Sequence, residues 1–175
     1  MLQERKKPAK LDAAKVFIES AIATFEDLEK LEADEPRYQH LRFLSTANRG
    51  LILSKLGEDR EAIESLTSLL PEYRALVERY SGVREYRQGL VIALLNLGEA
   101  FESQKEHSEA AKAFDEARLL LKRLREKNSD AHNYHAKLIE VTRKVAAIQD
   151  KLGERQQAID LRNEANRLQL EGPPK

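Results

Sequence analysis

Leu90-Val91-Ile92-Ala93-Leu94-Leu95-Asn96-Leu97-Gly98-Glu99-Ala100-Phe101 is the stretch on which the fold turns. Its apolar residues lead to a polar break at Lys105-Glu106-His107. A second amphipathic stretch follows, with Ala110, Ala113, Phe114, Ala117, Leu120, Leu121 and Leu124 at steps of three and four. That spacing puts one apolar stripe on an α-helix, so the segment predicts two helices joined by a short turn. Ser108 is placed to cap the second helix, and Asn128-Ser129-Asp130 to end it and cap the next one.

Working outward, the same unit recurs. Tyr38, Tyr86 and Tyr134 stand 48 residues apart, as do Ala62, Ala110 and Ala158. The offset also links Asn48 to Asn96, Gly50 to Gly98 and Glu61 to Glu109, and its double links Gly57 to Gly153. Matches this numerous at one offset define a tandem array, in which each hairpin buries its apolar stripe only by stacking on its neighbours. Asp59 and Gly82 mark, one unit earlier, the helix start and stop seen in the middle unit, and Pro36 suits a first helical turn. Pro71, inside the second helix of the first unit, is expected to kink or interrupt it. The expected organisation is a flexible basic N-terminus at 1–11 and one array at 12–170, followed by a short flexible tail at 171–175. The array divides into a lone helix at 12–33, repeats at 34–81 and 82–129, and a third, capping repeat at 130–170. Ala14 falls one period before Ala62, so the lone helix reads as the second helix of an earlier unit.

Composition agrees with an all-α chain: Ala, Leu, Glu, Lys, Arg and Gln dominate, with only seven Gly and five Pro in 175 residues. Thirty basic residues balance thirty acidic ones, which argues against a dedicated nucleic-acid binder. No apolar run approaches the length of a membrane span, and no signal peptide is recognisable, so a cytoplasmic protein is the default reading. The absence of cysteine removes disulfides, thiolate nucleophiles and thiolate metal sites. There is no glycine-rich phosphate loop, nucleophile elbow or HExxH pattern, so no enzyme and no cofactor is expected.

Leu94-x-x-Leu97-Gly98-x-x-Phe101 followed by Ala110-x-x-x-Phe114-x-x-Ala117 resembles the tetratricopeptide signature, with Leu and Phe in the aromatic slots. Gly98 and Ala110 would let the two helices approach, with Phe101 and Phe114 filling the space beside them. The first unit offers Gly50, Leu53, Ala62, Leu66 and Leu69 at those places. The third offers Ala146, Gln149, Ala158, Arg162 and Ala165, and its polar Gln149 and Arg162 read as capping features. The resemblance implies a right-handed solenoid of helix-turn-helix units whose concave face is built from the first, or A, helices. The period exceeds the family's usual 34 residues; the surplus would lengthen each hairpin's two helices by roughly 21 Å in total. Long units with a Pro-x-Tyr opening, as in Pro36-Arg37-Tyr38, resemble arrays attached to bacterial serine/threonine protein kinases.

By that resemblance the chain is a scaffold that binds a protein or peptide in the groove of the A helices, with no nucleic-acid or membrane partner. The residues expected to bind are Asn48, Leu51 and Lys55 from the first A helix, Leu95, Asn96 and Glu99 from the second, and Arg143 and Lys144 from the third. Ala47 is expected on the same face. Asn48 and Asn96 match the asparagine that in related arrays holds a bound backbone, an amide being both donor and acceptor. Lys144 takes that place in the third unit and suits an acidic group. The plain alternative for each is an ordinary solvated helix residue. His132 and His135, beside Asp130, fall short of the ligand set a metal needs and read as solvated loop histidines. The three tyrosines read as packing between units. The alternative function is self-association through the N-terminal end of the stack, or a spacer role.

Overall fold

Each apolar stripe of the sequence becomes one side of a helix hairpin. The computed structural model describes residues 2–126 and 131–173, with side chains described from residue 9 onward except at 131 and 132. The elements are α1 (Leu2–Leu31), α2 (Pro36–Leu56), α3 (Asp59–Arg79), α4 (Arg84–Ser103), α5 (His107–Glu126), α6 (Ala131–Lys151) and α7 (Arg155–Glu171), with no strand among the described residues. α2 and α4 begin at 36 and 84, and α3, α5 and α7 at 59, 107 and 155, so the sequence period is also the structural one. Consecutive helices pack antiparallel along the array, and α2 additionally packs on α4. We call α2, α4 and α6 the A helices and α3, α5 and α7 the B helices; α1 stands at B register and packs on α2 alone.

Close approach within a hairpin depends on glycine. A Cβ on Gly50 would lie 2.7 Å from Leu66 Cδ1, and one on Gly98 would lie 2.7 Å from Phe114 Cε1. Leu66 and Phe114 are fully buried at these crossings. The core runs without a break from Phe43 in α2 to Leu168 in α7. Across the B helices, arginines bridge neighbouring elements. Arg42 joins Glu29 of α1 to Glu72 of α3, Arg74 of α3 pairs with Glu116 of α5, and Arg118 of α5 pairs with Glu164 of α7.

Several local expectations need correction. Pro71 lies inside α3, which runs on without interruption. The residue lacks one amide donor, but Leu66, Leu69, Leu70, Tyr73 and Leu76 are buried on both sides of it and hold the helix together. α5 begins at His107, so Ser108 lies within the first turn rather than at the cap. The first residue of α3 is Asp59, with Glu58 at the cap position. α1 begins at Leu2, so residues 2–11 continue a helix, as their Lys, Glu and Gln content favours. Asn128, Ser129 and Asp130 lie outside the described residues. Pro36 does open α2, with the Glu35 carboxylate accepting from the Arg37 amide at 3.0 Å. Turns at Gly57 and Gly153 use left-handed φ of 84° and 82°; at the equivalent place Lys105 adopts 63°.

Candidate functional site

The two junctions between A helices have the same blueprint and different fillings. In the first, between α2 and α4, the Phe43 and Tyr73 rings pack 4.9 Å apart. The His40 ring lies tilted against Tyr86 with centres 4.8 Å apart, and the Tyr73 hydroxyl lies 3.0 Å from His40 Nδ1. Burial pushes the Tyr73 phenol up and the His40 imidazole down from 6.5, with Glu85 opposing the latter shift. The hydroxyl therefore stays protonated and donates to Nδ1 when the ring proton sits on Nε2. Gly89 makes room: a Cβ there would collide with the Tyr73 hydroxyl and come 2.9 Å from His40 Cε1. Asn96 Nδ2 donates to the Ala47 carbonyl at 2.8 Å and ties α4 to α2.

Advance every position by one period and the second junction appears, between α4 and α6. Phe43 becomes Val91, Tyr73 becomes Leu121, His40 becomes Gln88 and Gly89 becomes Lys137; Tyr86 becomes Tyr134. Two large rings are replaced by smaller aliphatics, and the glycine that allowed close approach is gone. Among the described residues no Cα of α6 comes within 8 Å of one in α4. The junction is left with an open cavity of about 430 Å³, lined by Gln88, Val91, Ile92, Leu95, Leu121, Leu124, Asn133, Tyr134 and Lys137. Its floor (Val91, Leu121, Leu124) is buried and apolar, while Ile92 is 37% exposed at the mouth. At one end Gln88 Nε2 donates to the Tyr134 hydroxyl. Farther along, Lys144 spans the gap to Glu99 at 3.0 Å, with its ammonium 4.6 Å from the Phe114 ring centre. The short Asn96 ties two closely packed helices, and the long Lys144 bridges two that stand farther apart.

These positions decide what each expected binding residue can do. Leu95 lines the slot, and Glu99 and Lys144 bridge α4 and α6. Arg143 is exposed and donates to Gln169 of α7. Leu51 is half-buried and Lys55 exposed on α2. Asn48 is half-buried on α2. Asn96 is more enclosed than expected: it is 8% exposed, and one of its amide donors goes to the Ala47 carbonyl and ties α4 to α2. Ala47, also expected in the groove, is fully buried beneath that bond. His135 is 6% exposed within α6 and so is not a solvated loop residue; the His132 side chain and Asp130 lie outside the described residues. Among the described residues no group of three or more His, Cys, Asp or Glu could hold a metal ion. Tyr86 and Tyr134 are buried between units.

Sequence reasoning missed the slot floor, Leu121 and Leu124, and the rim residues Gln88, Tyr134 and Lys137. Part of the signal was present: reading Phe43 against Val91 and Tyr73 against Leu121 shows the loss of two rings at one junction, though not the spacing of the helices around it. Of the furrows over the outer surface between B helices, the α1/α3 furrow is lined largely by charge, with Glu19, Glu26, Arg42, Arg49 and Glu72, while the α3/α5 furrow sets Leu70, Leu94, Leu97 and Phe101 beside Arg74, Glu109, Lys112 and Glu116. No helix among the described residues is long and apolar enough to cross a membrane.

A family model described as a tetratricopeptide repeat matches residues 92–131, from the second half of α4 through α5 to the start of α6. The match supports a tetratricopeptide-repeat family and falls on the helices that form the slot. No curated protein and no solved structure matches the chain.

Proposed function

We propose that this chain is a protein-interaction scaffold that receives a partner segment on its A-helix face, with the α4/α6 slot taking the segment's anchor side chain. The observation that carries the reading is the vacant second junction beside a filled first one. The chain's own Tyr73 shows what such a space accepts: an aromatic ring among apolar neighbours, its polar tip met by a polar side chain. In the slot, Val91, Leu121 and Leu124 offer the floor, and Gln88, whose Nε2 is held by the Tyr134 hydroxyl, offers a rim carbonyl. A cavity of about 430 Å³ lies within the usual range for side-chain and small-molecule sites. Leu95, Glu99 and Lys144 act at the slot in this reading, while Asn48, Leu51, Lys55 and Arg143 serve the flanking surface. The array works without catalysis, as the docking or regulatory part of a larger protein such as a bacterial serine/threonine kinase, the setting its long units resemble.

The test is selection of binders from a displayed random-peptide library, followed by affinity measurement on wild type and Ile92→Glu. Ile92 is 37% exposed at the slot mouth, so the substitution leaves the core intact. Selected peptides should share an aromatic or large aliphatic anchor. Their affinity should fall at least 10-fold in the variant, the scale of one buried side chain. Peptides that bind both proteins equally, with helicity unchanged, would move the site elsewhere on the molecule.

A further inference from the structure

One helix face remains unexplained. α1 packs on α2 alone and has no buried side chain among the described residues. On the side away from α2 it exposes Val16 at 66% and Phe17 at 77%. Phe17 is the one large aromatic among the exposed hydrophobics of the described residues. One turn either way, Ala13 and Ser20 are exposed, small and uncharged; two turns on lies Thr24, also exposed, and two turns back the exposed Lys10. Between Ala13 and Thr24 such a face lets another helix surface come close and places no charge against it; Lys10 stands at its N-terminal edge.

The molecule therefore carries a protruding ring with an uncharged surround, and a vacant apolar slot in a position that a ring fills elsewhere in the same chain. The rim of the slot suits an uncharged visitor, because Lys137 is paired with Glu140 at 2.9 Å and Lys144 with Glu99 at 3.0 Å. α1 has no contact with α4, α5 or α6 of its own chain, so its outer face can meet only another molecule's slot. We infer that the slot between α4 and α6 receives α1 of a second copy, with that copy's Phe17 seated over Leu121 as Tyr73 is seated in the first junction. The inference rests on the reading of the slot as a docking site and adds its occupant. Because α1 and slot are different surfaces, the contact is head to tail: a docked pair still offers one free slot and one free α1 between its two copies, and growth continues until the assembly closes. A partner segment and a second copy then compete for one place, and self-assembly holds the scaffold closed until a partner displaces it.

Sedimentation velocity over a concentration series tests this with full-length protein. Wild type should grow past the dimer as concentration rises. Phe17→Glu and Ile92→Glu should each stay monomeric, since one lacks the ring and the other the slot. Mixed in equal amounts, they should form a dimer that grows no further, because only one intact ring and one intact slot remain. Ser20→Arg, exposed on the same face of α1, should reproduce the loss without touching either docking residue. Wild type that stays monomeric throughout overturns the inference. So does association that Phe17→Glu abolishes and Ile92→Glu leaves intact, the pattern of an α1-to-α1 dimer. Peptide affinities taken at protein concentrations below self-association separate the two claims. Peptides lost on Ile92→Glu together with a strictly monomeric wild type would keep the scaffold and discard self-docking.

Discussion

Copying the first junction into the second should close the slot. The double substitution Leu121→Tyr/Lys137→Gly gives α5 the ring that α3 has in Tyr73, and gives α6 the glycine that α4 has in Gly89. The glycine is needed because a Cβ at Gly89 would meet the Tyr73 hydroxyl and the His40 ring, so any side chain at 137 would oppose the new ring. The new hydroxyl would point at Gln88, the register counterpart of His40. Burying an anchor of Leu, Phe or Met size is worth about 1.5–3 kcal/mol. Excluding that anchor should therefore weaken a selected peptide roughly 10- to 150-fold, at about 1.4 kcal/mol per tenfold. Folding stability should change little. The added ring gains contacts inside a cavity of about 430 Å³, while glycine in a helix interior costs about 1 kcal/mol. Fluorescence anisotropy with a labelled peptide gives the affinity, and urea unfolding gives the stability. Undiminished affinity in a variant that unfolds at the wild-type midpoint would refute the slot as the anchor site.

Three further expectations concern the scaffold. Lys105→Gly should stabilise the chain by about 0.5–1 kcal/mol: a side chain at φ 63° costs about 1–2 kcal/mol, of which the looser unfolded chain takes back part. Thermal unfolding should rise by about 2 °C, and an unchanged or lower midpoint would contradict the strain. Gly98→Ala should destabilise by about 1–3 kcal/mol, since its Cβ would lie 2.7 Å from the buried Phe114 ring; a neutral result in urea unfolding would show that the ring gives way. Stability should fall as pH drops below 6.5, because burial keeps His40 neutral in the fold while the unfolded histidine takes up a proton. His40→Gln should flatten that part of the profile, measured as urea midpoints between pH 7.5 and 5.5, and an identical slope in both proteins would assign the effect to other groups.

What the sequence determined by itself was the helical class, the tandem period and the hairpin as its unit. These follow from local rules: apolar residues at steps of three and four make one stripe, and small residues recur where two helices must cross. Gly50 and Gly98 were legible in this way, because each answers to a partner inside its own hairpin. The surface proposed for binding was legible only in part. Leu95, Glu99 and Lys144 fall at the slot, yet Asn96, whose amide looked free to hold a ligand, is buried and donates to the Ala47 carbonyl. An amide at one position of a repeat serves a ligand or a neighbouring helix depending on how close that helix stands, and helical periodicity is silent on that distance. Tertiary structure alone decided that α2 and α4 close while α4 and α6 stay apart. The spacing is set jointly by side chains from three helices: Phe43, Tyr73 and Gly89 at one junction, and Val91, Leu121 and Lys137 at the other. No single stripe contains that sum, because the volume that fills a junction and the glycine that admits it lie on different helices.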